Sequence, residues 1–115
     1  MILDYILGGV TTPADASVTQ TSVPKDIGDN LFAAVQAVFT GTPSGVFKLQ
    51  ASLDNVYYAD ISGSSVTVTT GNPSPIVINE PQAGFRFLRA VWTPSSGTGT
   101  ITVQAGVKEA PIPRG

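Results

Sequence analysis

Gly45-Val46-Phe47-Lys48-Leu49-Gln50-Ala51-Ser52-Leu53, followed by Asp54-Asn55, decides the fold. On an extended backbone Phe47, Leu49, Ala51 and Leu53 fall on one side, and Lys48, Gln50 and Ser52 fall on the other. Successive side chains of a strand point to opposite faces, so this period of two predicts a strand with one dry face and one wet one. Asp54-Asn55 supplies turn residues, and Tyr57-Tyr58-Ala59-Asp60-Ile61 reads as the returning strand of a hairpin.

The same alternation recurs on both sides of this hairpin. Thr100 to Val107 places Ile101, Val103, Ala105 and Val107 opposite Thr100, Thr102 and Gln104. Gly84 to Thr93 carries Phe85, Phe87 and Val91 on one side, with Leu88, Ala90 and Trp92 on the other. Ser65 to Thr70 and Ile76 to Ile78 read as shorter strands, separated by Gly71-Asn72-Pro73-Ser74-Pro75. Pro94 to Gly99 reads as a turn.

Leu31 to Thr40 differs because it is apolar on both faces. Leu31, Ala33, Val35, Ala37 and Phe39 share one side, and Phe32, Ala34 and Val38 share the other, interrupted only by Gln36. A strand covered on both faces reads as a nearly continuous apolar run. Frequent alanine makes a helix the competing reading. The β-branched and aromatic residues, with Gly41-Thr42-Pro43 closing the run, favour a strand. In a small antiparallel protein the second face then needs another layer or another subunit. Leu31, Phe32, Val35, Val38 and Phe39 mark the segment expected to supply that contact.

Short strands every 8–12 residues or so predict an all-β protein, an antiparallel β-sandwich of about eight strands, jelly-roll-like or immunoglobulin-like. Residues 26–107 form the expected sandwich domain. Residues 1–25, with Pro13 and Pro24, read as an N-terminal arm or edge strands, set off by the turn cluster Asp26-Ile27-Gly28-Asp29-Asn30. Residues 108–115 read as a tail.

At 115 residues, 42% of them hydrophobic, the chain is long enough to bury roughly two-thirds of its unfolded surface as one domain. It has no cysteine, which fits folding in a reducing compartment. Met1-Ile2-Leu3 meets Asp4 at once, so no signal peptide is read, and no run approaches the ~20 apolar residues of a membrane span. The expectation is a soluble protein made in the cytoplasm. Six Lys or Arg against eight Asp or Glu give a net charge of −2. Arg86 and Arg89 are the only closely spaced cations, and three residues apart on a strand they face opposite ways. Nucleic-acid binding through clustered cations is therefore not expected.

With neither histidine nor cysteine, Ser-His and Cys-His nucleophiles and the usual zinc, copper and haem ligands are excluded. Acid–base chemistry would rest on Asp26, Asp29, Asp54, Asp60 and Glu80, which mostly sit beside Gly, Asn or Pro and read as turn carboxylates. Asp26, Asp29 and Asn30, or Asp54, Asn55 and Asp60, offer oxygens to Ca²⁺, but neither group has the spacing of a calcium loop. No catalytic residue, metal site or cofactor is assigned, and the protein is not expected to be an enzyme. Gly8-Gly9 and Gly97-Thr98-Gly99 are read as turns, not phosphate loops. Tyr57, Tyr58 and Trp92 are the ring-bearing candidates for a sugar platform; Trp92 on a central strand reads as core, and Tyr57 and Tyr58 point to opposite sides.

Residues 47–61 and the strand Gly84-Phe85-Arg86-Phe87-Leu88-Arg89-Ala90-Val91-Trp92-Thr93, with the later Gly97-Thr98-Gly99-Thr100-Ile101-Thr102-Val103, resemble small β-sandwich modules of bacteriophage structural proteins, found in capsid-surface, spike and tail components. The likeness spans about residues 44–104 and transfers no functional residues. It implies a non-enzymatic virion component, made in the host cytoplasm, that forms a homo-oligomer and meets other virion proteins. The alternative reading is a carbohydrate- or receptor-binding sandwich, with a host-surface glycan as partner and Tyr57 or Tyr58 as its platform.

Overall fold

The computed structural model describes residues 2–9, 12–27, 32–69, 76–80 and 85–108. Among them lie β1 (Ile2–Leu7), β2 (Ala14–Asp15), β3 (Gln20–Thr21), β4 (Lys25–Asp26), β5 (Phe32–Gly41), β6 (Ser44–Ser52), β7 (Ala59–Asp60), β8 (Val66–Val68), β9 (Ile76–Glu80), β10 (Phe87–Ser96) and β11 (Gly99–Lys108). The first sheet runs β1-β11-β5-β9, with β2 also on β11; the second centres on β10 and β6, with β3 and β4 outside β10 and β7 and β8 outside β6. Every pairing is antiparallel, so the fold is the expected β-sandwich.

One long ribbon builds both sheets. β5 pairs with β11 from Phe32↔Lys108 to Gly41↔Gly99, and β6 pairs with β10 from Ser44↔Ser96 to Ser52↔Phe87. Both strands of the ribbon cross between sheets at the same corner, where the Thr42 amide donates to the Thr98 carbonyl at 2.8 Å. Glycine permits this close approach. A Cβ on Gly97 would stand 1.9 Å from the Thr42 carbonyl oxygen, and Gly97 has φ +83°, a conformation side chains rarely adopt.

The core lies inside the fold of the ribbon. From the first sheet come Ala33, Val35, Ala37, Phe39, Ile101, Val103, Ala105 and Val107; from the second come Phe47, Leu49, Leu88, Ala90 and Trp92, all buried. Phe39 meets Phe47 edge-on, with ring centres 6.3 Å apart, and tilts against Trp92 at 4.9 Å. The Trp92 indole N–H donates to the Ala16 carbonyl at 2.8 Å, so the one polar atom of the largest core side chain is satisfied. That bond also pins residues 16–19, which pass from β2 in the first sheet to β3 in the second.

Each central strand of the second sheet has an interrupted outer neighbour, and a serine fills each gap. Between β3 and β4, the Ser22 hydroxyl accepts the Ala90 amide at 2.8 Å. Between β7 and β8, the Ser64 hydroxyl accepts the Leu49 amide at 3.1 Å and donates to the Ile61 carbonyl at 2.7 Å. Ala90 and Leu49 are themselves register partners, so Ser22, Ala90, Leu49 and Ser64 form one row across the sheet.

Several elements differ from the sequence expectation. The returning strand after Asp54-Asn55 is only Ala59–Asp60, because residues 53–57 form a bend. The alternation of β6 ends early: Ser52, expected wet, is buried, and Leu53, expected dry, is exposed. The cause is local. The Ser52 hydroxyl accepts the Asp54 and Asn55 amides at 3.2 and 2.9 Å, which turns the chain one residue sooner. Asp26, expected in a turn, belongs to β4 and pairs with Phe87. Pro94 does not turn the chain but remains in β10 opposite Gly45; the ladder shifts just after it, and the turn falls at Gly97-Thr98. A proline has no amide to donate, and an irregular position of the ladder accommodates it.

Candidate functional site

The residues expected at a subunit contact divide between two faces of β5. Val35 and Phe39 point into the core and meet the second sheet, so the other layer they require is within the chain. Val38 points outward and is 38% exposed. Leu31 lies outside the described residues, and the backbone alone of Phe32 is described.

Around Val38 the centre of the outer face of the first sheet is uncharged, with Lys108, in register with Phe32, at one end and Asp15, in register with Thr100, at the other. Tyr5 of β1, Thr100, Thr102 and Gln104 of β11, and Gln36 and Thr40 of β5 share it, and together they line a shallow depression of about 300 Å³. Register aligns Tyr5, Gln104 and Gln36 in one row, Thr102 with Val38 in the next, and Thr100 with Thr40, whose hydroxyls bond to one another. Asp15 stands at the rim beside Thr100, its carboxylate turned back to the Ser17 amide and hydroxyl at 2.8 and 2.7 Å. Those bonds, the hydroxyl first, hold its pKa below the ordinary value. Sequence reading singled out Val38 on this face but not Tyr5, Thr102 or Gln104. The available signal was that every wet position of residues 100–107 is uncharged.

The outer face of the second sheet has the opposite character. Arg89 Nε donates to Gln50 Oε1 at 2.8 Å, Gln50 Nε2 donates to Asp60 Oδ1 at 2.9 Å, and Lys48 reaches Asp60 Oδ2 at 3.1 Å. The Gln50 bond, followed by that from Lys48, lowers the Asp60 pKa. The Arg89 guanidinium stacks on the Tyr58 ring at 3.9 Å, and the Tyr58 hydroxyl bonds Asn55. Burial under Arg89 raises the Tyr58 pKa, with the guanidinium charge opposing it and Asp54 adding to it. Tyr58 is therefore half-covered and committed to the network. Val91, Val46 and Thr93 complete this face by register.

Tyr57 is 81% exposed. It lies on a loop that also holds Leu53, 73% exposed, and Val56, 69% exposed. The loop is closed by its own polar groups. Asp54 Oδ1 accepts the Val56 and Tyr57 amides at 2.9 and 3.0 Å and the Ser52 hydroxyl at 2.8 Å. These bonds, that from the Tyr57 amide first, hold the Asp54 carboxyl below its ordinary pKa. Asn55 takes φ +61°, which a short polar side chain tolerates best. With Ala51 and Phe85, the loop lines a groove of about 400 Å³.

The carboxylates weighed as calcium ligands are dispersed. Asp54 serves its own loop, Asp60 the Lys48–Gln50 network, and Asp26 lies 3.4 Å from Arg86. Among the described residues no three acidic groups gather in one place, and Asp29 and Asn30 lie outside them. Among the described residues no helix is long and apolar enough to cross a membrane.

Compared by sequence, the chain matches no family model and no curated protein. Compared by fold, it is similar to the crystal structure of the SPBc2 prophage-derived protein YomS, with a TM-score of 0.64 over 93% of this chain and 95% of that one. The two sequences are 18% identical, so the likeness concerns the fold.

Proposed function

We propose that the protein is a non-enzymatic structural component of a bacteriophage particle, capsid-associated or on its surface, which assembles as a homo-oligomer through the outer face of its first sheet. The observation that carries the assembly is the character of that face. Tyr5, Gln36, Val38, Thr40, Thr100, Thr102 and Gln104 carry no charge, whereas the other sheet's outer face holds Lys48, Arg89 and Asp60. Two copies of a face whose centre is uncharged, with one acidic and one basic residue at opposite ends, meet without like-charge repulsion at that centre, and its hydroxyls and amides are both donors and acceptors, as a two-fold contact requires. The particle assignment is supported by the likeness in fold to a prophage-derived protein over nearly the whole chain. The sequence resemblance to phage sandwich modules points the same way.

Native mass by light scattering on a sizing column tests the assembly. The wild type is expected to elute as one oligomer across concentrations. Gln36→Lys with Val38→Lys, both at outward positions of β5, is expected to elute as a folded monomer. A double variant that remains assembled, or a wild type that is monomeric throughout, would overturn the proposed interface.

A further inference from the structure

The loop of residues 52–57 is closed by hydrogen bonds among its own polar groups and turns its apolar side chains to water. Ser52 and Asp54 between them take four backbone amides. Leu53, Val56 and Tyr57 are left outside, and Leu53 and Tyr57 line the groove of about 400 Å³ with Phe85. Pockets for small ligands start at about 300 Å³, and a locked loop loses little freedom when it binds.

The groove also contains a carboxylate. Asp54 Oδ1 is used by the loop, whereas Oδ2 takes no hydrogen bond from any described residue. Asp54 is exposed, so like any aspartate in water its free oxygen is ionised and hydrated at neutral pH. This decides between occupants. An apolar helix or a lipid surface covering the groove would strip water from an ionised carboxylate without replacing its hydrogen bonds, which is costly. A neutral sugar has both complements: a face of C–H bonds that lies flat on an open aromatic ring, and hydroxyls that donate to a carboxylate oxygen.

The geometry points to a neutral oligosaccharide subsite at this loop, with the Tyr57 ring as the stacking platform, Asp54 Oδ2 as the acceptor of sugar hydroxyls, and Leu53 and Phe85 as its apolar walls. The site lies on the rim of the second sheet, away from the face proposed for assembly, so either reading can fail without the other.

The test is titration of the ¹⁵N-labelled protein with maltotetraose, cellotetraose and N-acetylchitotetraose, followed by amide shifts. At least one is expected to give saturable shifts confined to residues 51–57 and Phe85, with a Kd of about 1 mM or tighter, the weak end of the affinity scale. Tyr57→Phe keeps the ring and is expected to keep binding. Tyr57→Ala, at an exposed position that leaves the remaining spectrum unchanged, is expected to weaken binding about tenfold or more, equivalent to ~1.4 kcal/mol. Asp54→Asn retains Oδ1 for the loop and is expected to weaken binding as well. Absence of saturable shifts with all three sugars would overturn the subsite, and so would equal binding by Tyr57→Ala.

Discussion

Ser22 and Ser64 each do the work of a missing piece of strand. The Ala90 amide donates to the Ser22 hydroxyl and the Leu49 amide to the Ser64 hydroxyl, both inside the sheet. Removing either hydroxyl leaves a buried amide unpaired, and such a group costs about 1–3 kcal/mol. Ser64→Ala is accordingly expected to lower unfolding free energy by about 2 kcal/mol in urea with an unchanged m-value, a loss set by the same desolvation cost. A change below about 0.5 kcal/mol, the size expected of an ordinary surface substitution, would mean that water replaces the hydroxyl. Neither serine stands out in the sequence, because Ser in a turn-rich stretch reads as loop chemistry. Trp92 was legible: a single indole on an apolar alternation belongs to the core, and there it sits. Leu53 was misread for the opposite reason. Alternation carries no mark of where a strand ends, and the Ser52 hydroxyl ends this one.

The ribbon of β5–β6 against β10–β11 is the element that makes the sandwich. Its four long strands were readable from period-two patterning, including β5, whose alanines invite a helix. Their association into one folded ladder was not readable, since register is a relation between distant segments and alternation describes each segment alone. The corner holds that relation in place. Gly97→Ala puts a methyl group against the Thr42 carbonyl and demands a backbone conformation unfavourable to alanine. The expected result is loss of the cooperative transition, or of several kcal/mol of stability, with Gly63→Ala as the control. Gly63 also has positive φ, at +80°, but a Cβ there meets nothing within 4 Å. If both variants lost the same amount, backbone conformation alone, rather than the crossing, would account for the effect. The short strands β2, β3, β4 and β7, each two residues long, lie below what alternation can signal. They are defined by what they pair with.

At the scale of the whole molecule, the two outer faces differ in kind. The outer face of β10 and β6 satisfies its charges within itself through Lys48, Asp60, Gln50 and Arg89. The outer face of β1, β11 and β5 offers uncharged hydroxyls, amides, Val38 and a ring around its centre, and it is the face proposed to meet a second copy. The sequence hinted at it through the apolar second side of residues 31–40. It places Val35 and Phe39 opposite Val38, but does not tell which of the two sides meets the other sheet and which meets solvent, because that requires knowing which side of β5 the second layer covers. Two valines allow a direct comparison of the faces. Val38 and Val46 are 38% and 36% exposed in the isolated chain, one on each outer face. The protein has no cysteine, so a single introduced thiol reports on its own position. The decisive measurement is the rate of thiol labelling of Val38→Cys against Val46→Cys under native conditions, each normalised to its rate in denaturant. The account predicts that the thiol at position 38 is protected and that dilution below the assembly concentration removes the protection, while position 46 labels freely throughout. Equal rates at every concentration would contradict it.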